Sequence, residues 1–171
     1  MMNYIEVIDN VSNPFGIYKH VREEALRNGK EEGPEFNTIY KPNNSEEYRI
    51  VITDHISLLT PEKDPNTGDK MSHWQSISKF SQDYCLKGFC KRWNYITVNV
   101  QQQEAAKEKQ EYNFKGNSIE DKIEPSLDGL ADNKLTQREA DLVFGVFAPD
   151  RYKIENYRKY DITKLKDNYR A

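Results

Sequence analysis

The sequence predicts an α/β fold in which a mostly parallel β-sheet is flanked by helices. Its short apolar runs are continuous rather than alternating, which is typical of strands covered on both faces. Helical patterns separate these runs, and a helix between two strands returns the chain to a parallel neighbour. The expected core strands are Tyr4 to Ile8, Tyr48 to Thr53 and Tyr95 to Val100, with further strands at Ala140 to Phe147 and Tyr160 to Leu165.

Two helices are predicted between the first three strands. The first begins at Asn13 and Pro14, a cap and a first turn, and ends before Asn28 and Gly29. The second runs from about Ser72 to Trp93. Its apolar stripe is formed by Ile77, Phe80, Tyr84 and Gly88, with Cys85 and Phe89 beside them.

Composition sets broad limits on the function. A chain of 171 residues fits one domain, residues 1 to 171, and its net charge of -3 means that any nucleic-acid contact must rest on a local patch. Cys85 and Cys90 provide no disulfide framework, which predicts a reducing compartment. They also lack the paired spacing of a zinc site, so we expect both to be packing residues. Without a signal peptide or a membrane-spanning run, we expect a cytoplasmic protein with no membrane association.

The strongest local signal is the segment Arg49 to Leu59, RIVITDHISLL. It is an apolar strand that ends in Asp54, and a carboxylate at the carboxyl end of a strand can hold Mg²⁺ through the water shell of the ion. The alternative is that Asp54 only caps the strand or the turn. Two polar connections follow the predicted strands, Thr60 to Lys70 and Gln102 to Lys134, and connections this long are often functional.

The order of these segments resembles the DnaB-type replicative DNA helicases and their phage primase-helicase relatives. ITDHISLL is similar to their Walker B strand, and SISKFSQDYCLKGFCKRWNYITVNVQQQ is similar to the helix and strand that follow it. ADLVFGVF, Ala140 to Phe147, resembles the next core strand. The resemblance implies a RecA-like ATPase core, of which this chain would be the C-terminal part, with ATP and Mg²⁺ as cofactors of the complete helicase.

The resemblance also implies that Gln101 is the polar residue that senses the nucleotide. A neutral amide can bond a phosphate oxygen on one side and a loop on the other, so that hydrolysis would move the loop. The alternative is an amide that satisfies the edge of the sheet.

In the family, loops in this part of the core line a central channel and follow single-stranded DNA. The loop from residue 102 to 134 contains Lys107, Lys109, Lys115 and Lys122, with Tyr112 and Phe114 between them. Lysines would bind phosphates and aromatic rings would stack on bases. The alternative is a solvated loop, because acidic residues dilute its positive charge.

The C-terminal segment YDITKLKDNYRA resembles the family strand whose Lys and Arg reach the ATP site of the neighbouring subunit. Lys166 and Arg170 are the candidates, although their separation exceeds the usual family spacing. The alternative is a basic, frayed tail.

The sequence contains no G-x-x-x-x-G-K-[ST] segment. Gly29 and Lys30 are adjacent as in such a segment, but they follow a predicted helix instead of preceding one. We therefore expect no ATP hydrolysis and no tight nucleotide binding by this chain alone. The expected function is a part of a homo-hexameric, ATP-dependent DNA helicase, in the cytoplasm of a cell or of a phage-infected host, whose N-terminal portion comes from elsewhere. The alternatives are a non-catalytic RecA-like module that binds a helicase or DNA, and a recombinase or packaging ATPase.

Overall fold

The computed structural model of the chain describes residues 5–34, 37–64, 66–102, 136–146, 156–157 and 160–161. The chain divides into two compact units, Met1–Gln102 with Asp132–Ala140, and Gln103–Ala131 with Asp141–Ala171. In the described part of the first unit, the elements are α1 (Pro14–Arg27), β1 (Gly29–Glu32), β2 (Ile39–Pro42), β3 (Ile50–Thr53), α2 (His73–Lys79) and β4 (Ile96–Asn99). In the second unit, β5 (Asn156–Tyr157) pairs antiparallel with β6 (Tyr160–Asp161).

Helix α1 forms where the sequence predicts it. Pro14 occupies the first turn, where the missing N–H costs no hydrogen bond, and the helix ends at Asn28. The backbone N–H of Asn28 donates to the carbonyls of Glu24 and Ala25, which closes the last turn. Val21 and Ala25 are buried, and the face of α1 that carries them packs against the core.

The second helix comprises α2 and a π-helical continuation, Phe80–Arg92, so the predicted span from Ser72 to Trp93 is confirmed. Ser72 begins it with a capping box, in which its hydroxyl accepts from the Gln75 backbone and the Gln75 side chain accepts from the Ser72 backbone. Gly88 allows a close approach to α1, because a Cβ there would lie 3.1 Å from the ring of Tyr18.

Strands β3 and β4 form a parallel pair, as the sequence predicts. Ile50 is opposite Ile96 and Thr53 is opposite Asn99, and the second helix supplies the connection between the strands. One side chain in two is exposed along both strands, so the pair buries only one of its faces. The exposed face carries Ile50, Ile52, Ile96 and Val98.

The core lies between α1, the second helix and the buried face of the parallel pair. Aromatic rings dominate it: Phe80 meets Phe89 edge to face at 6.3 Å, and Phe89 stacks on Trp93 at 6.0 Å. Such arrangements add to the stabilisation that buried area alone provides. The buried apolar residues are Val21, Ala25, Ile56, Leu59, Ile77, Phe80, Cys85, Phe89, Trp93 and Tyr95.

Two of the predicted core strands are wrong over the residues that the structure describes. Residues 5–8 of the first run and 140–146 of the fourth have no strand conformation. Their apolar side chains are largely exposed, for example Val7 at 84% and Val146 at 92%. A strand exists only when a neighbour accepts and donates its backbone hydrogen bonds, and neither segment pairs with any of the described strands.

The described strands are mixed in direction rather than mostly parallel. They form three two-stranded sheets, of which β3–β4 is parallel and β1–β2 and β5–β6 are antiparallel. The fold is therefore mixed α/β with small sheets. The predicted strand from Tyr160 to Leu165 is present as the two residues of β6, and its remainder lies outside the described residues.

The β1–β2 hairpin was not predicted from the sequence, because its strands are short and rich in charged residues. Glu32 forms two ion pairs, one along β1 with Lys30 at 2.7 Å and one across the hairpin with Lys41 at 2.6 Å. Gly33 follows β1 with φ of 102°, a left-handed conformation that glycine adopts without strain. The hairpin is joined to α1 by the Tyr40 hydroxyl, which donates to the carbonyl of Ala25 at 2.8 Å.

Candidate functional site

Asp54 and Gln101 lie at the same end of the parallel pair. Asp54 immediately follows β3, and Gln101 comes two residues after the end of β4. Because Thr53 is opposite Asn99 in a parallel register, both residues leave the carboxyl ends of adjacent strands. The predicted position at the ends of adjacent strands agrees with this register, and the shared crevice and the roles of the two residues stay predictions. Asp54 is exposed and Gln101 is half-buried.

The turn that carries Asp54 is held against β4 by backbone hydrogen bonds on both sides of it. The N–H of Val100 donates to the carbonyl of Thr53 at 3.0 Å, and the carbonyl of Val100 accepts from the N–H of Ile56 at 2.9 Å. The peptide bond between Asp54 and His55 is cis. Ile56 is 1% exposed and anchors the turn in the core. Asp54 is thus presented at the surface on a fixed backbone.

Two polar atoms next to Asp54 are buried without a hydrogen-bond partner among the described residues. They are Nδ1 of His55 and Oγ of Ser57. Buried polar groups are nearly always bonded to protein or to water, so these two atoms have unused capacity to bond a water molecule.

Gln101 is held by a residue that sequence reasoning missed. The hydroxyl of Thr136 donates to Gln101 Oε1 at 2.7 Å, across 35 positions of sequence. Thr136 begins a 3₁₀ turn, Thr136–Glu139, that packs against the second helix. No local pattern predicts this contact, because the two residues are brought together only by the path of the chain.

The connection after Asp54 is fastened to the beginning of α1. The Thr60 N–H donates to the carbonyl of Ser12 at 2.8 Å, and Glu62 Oε1 accepts from the Phe15 N–H and, at 3.2 Å, from Asn13 Nδ2. Glu62 thereby accepts a hydrogen bond from a backbone N–H in the first turn of α1, where the N-cap residue Asn13 makes no side-chain capping hydrogen bond.

An open cavity of about 590 Å³ lies beside this contact. Its lining includes neither Asp54 nor Gln101, so it is distinct from the site at the strand ends. Burial, followed by the charge of Glu62, raises the pKa of Tyr84 in its wall to about 12. The lining residues are Asn13, Phe15, Pro61, Glu62, Lys63, Lys79 and Tyr84.

The predicted DNA-binding and finger residues belong to parts of the chain that the structure does not describe. Lys107, Lys109, Lys115 and Lys122, together with Lys166 and Arg170, lie outside the described residues. The loop from 102 to 134 is described only at Gln102, which is exposed.

The cysteines pack between the second helix and β4. Cys85 Sγ donates to Asn99 Oδ1 at 3.7 Å, and Cys90 Sγ lies 3.2 Å from the Thr97 hydroxyl. Burial, opposed in part by the Asn99 contact, raises the pKa of Cys85 to about 12. The predicted packing role for both cysteines agrees with these contacts.

A single exposed carboxylate beside an amide can hold a hydrated divalent ion and a phosphate oxygen, because carboxylates bind Mg²⁺ and the amide N–H₂ donates to oxygen anions. Within the described ranges, no three His, Cys, Asp or Glu side chains converge as a direct metal site. Among the described helices, none combines the length and the apolar character needed to cross a bilayer.

Comparisons of the chain with protein-family models, with curated proteins and with solved structures found no match.

Proposed function

We propose that this chain is part of an ATP-dependent DNA helicase motor with a RecA-like core, to which it contributes the Walker B carboxylate and the nucleotide sensor. The observation that carries the proposal is the juxtaposition of Asp54 and Gln101 at the carboxyl ends of two adjacent parallel strands. In open α/β sheets, ligands bind in the crevice outside these strand ends. The order of segments around the two residues, which resembles the DnaB-type helicases, supports the same reading.

Asp54 has the position and chemistry of a metal-orienting group. Its carboxylate is exposed, and the backbone on both sides is tied to Val100. A carboxylate on a backbone anchored in this way would hold a hydrated Mg²⁺ with little movement of the chain, and the ion would supply the electrostatic stabilisation that phosphoryl transfer requires. Gln101, which follows the adjacent strand, would act as the sensor of a phosphate oxygen.

ATP and Mg²⁺ fit this site only in part. The described residues offer the carboxylate and the amide, but the sequence contains no GK[ST] segment to cradle the phosphates. Bound ATP with Mg²⁺ would supply the phosphoryl group and the charge of the ion. The phosphate-binding loop would therefore come from a polypeptide segment other than these 171 residues, and in the complete homo-hexamer Lys166 or Arg170 would act on a neighbouring site.

The test joins the coding segment that precedes this reading frame to the chain and measures phosphate release with and without single-stranded DNA. We expect DNA-stimulated hydrolysis in the joined protein and loss of most of it, at least about a hundredfold, in Asp54→Ala, since metal positioning acts in the transition state. Asp69→Ala is the matched control, because Asp69 is an exposed carboxylate in the connection after the same strand.

Three results would contradict the proposal. One is a joined protein without ATPase activity, and another is a joined Asp54→Ala protein that hydrolyses ATP as fast as the parent. The third is ordinary turnover by the 171-residue chain alone, because a chain without a phosphate-binding loop should not retain nucleotide.

A second candidate is a non-catalytic RecA-like module that binds a helicase. The observation that favours it is the uncovered apolar face of the β3–β4 pair, since parallel sheets are normally covered on both faces. The preceding DNA distinguishes the two candidates. An adjacent segment encoding GK[ST] supports the motor, and its absence supports the binding module.

A further inference from the structure

The cavity beside the beginning of α1 has no role in the proposed motor. It has a volume of about 590 Å³, all of its lining residues belong to the first compact unit, and neither strand-end residue lines it. Cavities of this size are in the range that small ligands occupy in proteins. The connection from Thr60 to Lys70, whose length and polarity predict a functional segment, supplies Pro61, Glu62 and Lys63 to its lining.

Aromatic rings form part of the cavity wall. Phe15 and Tyr84 both line the cavity. Tyr18 contacts both rings, stacked on Phe15 at 6.4 Å and tilted against Tyr84 at 4.9 Å. Phe15 is nevertheless 56% exposed, so much of its side chain is left in solvent. A flat apolar ligand would cover this ring, and aromatic pairs gain more than buried area alone provides.

Two lysines in the lining supply positive charge. Lys63 is exposed and forms no ion pair with any residue that the structure describes. Lys79 Nζ lies 5.9 Å from the centre of the Tyr84 ring and 3.6 Å from Asp83. Asp83 is held more closely by Lys87, at 2.8 Å, so it compensates the charge of Lys79 only in part. An anionic group in the cavity would be attracted by both lining lysines.

The carboxylate of Glu62, which also lines the cavity, is already hydrogen-bonded. Its Oε1 accepts from the Phe15 N–H and, at 3.2 Å, from Asn13 Nδ2, so it stays at the first turn of α1. The lining then contains two cations, Lys63 and Lys79, and one anion. An excess of one positive charge suits a ligand with a single negative charge.

The wall that the connection contributes is formed without a ligand. The N–H of Met71 donates to the carbonyl of Glu62 at 2.8 Å, and Lys63 pairs with Lys70 in an antiparallel bridge. The beginning of the connection is fastened to the segment that precedes α1. A wall that is already ordered lowers the entropic cost of binding.

We infer that this cavity is a binding site for a small aromatic carboxylate, whose ring covers Phe15 and whose carboxylate binds Lys63 and Lys79. The ring matches the exposed aromatic wall, and the single charge matches the excess of one cation. The inference does not depend on the helicase assignment, because the cavity and the strand-end site share no residue.

The first experiment titrates the isolated 171-residue chain with 2-naphthoate and with 2-naphthamide, which has the same rings and no charge. We expect 2-naphthoate to shift the backbone amide resonances of Phe15, Glu62 and Tyr84, with a Kd on the order of 1 mM for a ligand of this size. 2-Naphthamide should bind at least about fivefold more weakly, because it lacks the charge. Added salt should weaken 2-naphthoate alone.

Substitutions of the lysines test the charge. Lys63→Gln and Lys79→Gln should each raise the Kd of 2-naphthoate about three- to fivefold and leave that of 2-naphthamide unchanged. Lys70→Gln is the matched control, because Lys70 is an exposed lysine of the same connection that does not line the cavity.

Substitutions of exposed rings test the aromatic wall. Phe15→Ala should weaken the binding of both compounds several-fold, since both stack on this ring. Tyr48→Ala should weaken neither, because Tyr48 is an exposed ring outside the cavity. Far-ultraviolet circular dichroism of each variant checks that the fold is retained.

Four results would overturn the inference. One is equal affinity for 2-naphthoate and 2-naphthamide, and another is parent-like binding of 2-naphthoate by both Lys63→Gln and Lys79→Gln. The third is the absence of resonance shifts at about 10 mM 2-naphthoate, well above the expected Kd. The fourth is a set of shifts centred on Asp54 and Gln101, which would place the anion at the strand ends and leave the proposed function standing.

Discussion

The indole N–H of Trp93 donates to Glu31 Oε1 at 2.8 Å, which joins the end of the second helix to the β1–β2 hairpin. Arg92 Nε donates to the same oxygen at 2.6 Å, and Arg22 lies 3.9 Å from the other carboxylate oxygen. The Glu31 side chain is 14% exposed. A charged acceptor in this position connects β1 to the preceding helix α1 and to the end of the second helix, which is 61 positions away at Arg92.

We predict that Glu31→Ala lowers the free energy of unfolding by about 1–3 kcal/mol, because the Trp93 N–H would be left buried without an acceptor. Urea denaturation near neutral pH measures the change. Glu32→Ala is the control: it removes an exposed carboxylate from the same strand and should have a smaller effect. Equal losses in the two variants would contradict a special role for Glu31.

The stabilisation by Glu31 should depend on pH. The hydrogen bond from Arg92, together with that from Trp93, holds the pKa of this carboxyl below its ordinary value of 4.5 despite partial burial. A lowered pKa in the folded state means that the stabilisation is present above the unfolded-state pKa and is lost as pH falls through the folded pKa. The difference in unfolding free energy between the parent and Glu31→Gln should be constant above about pH 5.5 and should shrink below 4.5. A difference that grows as the pH falls would contradict this assignment.

Ser76→Ala should stabilise the protein. Ser76 is fully buried in α2, and its Oγ has no hydrogen-bond partner among the described residues. Removing an unsatisfied hydroxyl and adding helix propensity should raise the unfolding free energy by about 1 kcal/mol. The control is Ser72→Ala in the same helix, which removes the capping box and should lower stability by about 1 kcal/mol. Thermal unfolding of the three proteins gives the order, and destabilisation by Ser76→Ala would show that its hydroxyl is satisfied.

Cys85 should resist alkylation in the folded chain. Burial raises the pKa of its thiol to about 12, so the reactive thiolate is scarce at ordinary pH. Treatment with iodoacetamide at about pH 8, followed by peptide mass spectrometry, should label Cys85 only after denaturation, since thiolate is the nucleophile. Labelling of native Cys85 at the rate of an unfolded control would contradict the packed environment.

Substitutions on the two sides of the parallel pair should differ in cost. Phe89 is fully buried, so Phe89→Ala should cost about 3–5 kcal/mol. Ile52 is 66% exposed on the uncovered face, and Ile52→Thr should change stability by less than about 0.5 kcal/mol. Denaturant titration of the 171-residue chain measures both. A cost for Ile52→Thr close to that of Phe89→Ala would show that this face is covered in solution.

The strand-end site is the part of the structure that sequence reasoning predicted best. Asp54 and Gln101 each follow a continuous run of β-branched and aromatic residues, and a capped, amphipathic helix separates the two runs. These signals are local, because a helix cap, the apolar stripe of a helix and the apolar run of a strand each lie within a short stretch of sequence. A parallel register then follows from the connection, since a helical crossover brings the carboxyl ends together.

The sequence by itself determined the two helices and the β3–β4 pair, and the tertiary structure decided which other apolar runs find partners. Residues 5–8 and 142–146 have the composition of strands, but they remain unpaired and exposed in the described structure, because a strand depends on backbone groups supplied by a neighbour. The contact of Thr136 with Gln101 likewise needs two positions that are distant in sequence. Local patterns encode the conformation of a segment, whereas pairing depends on which segments the folded chain brings within hydrogen-bonding distance.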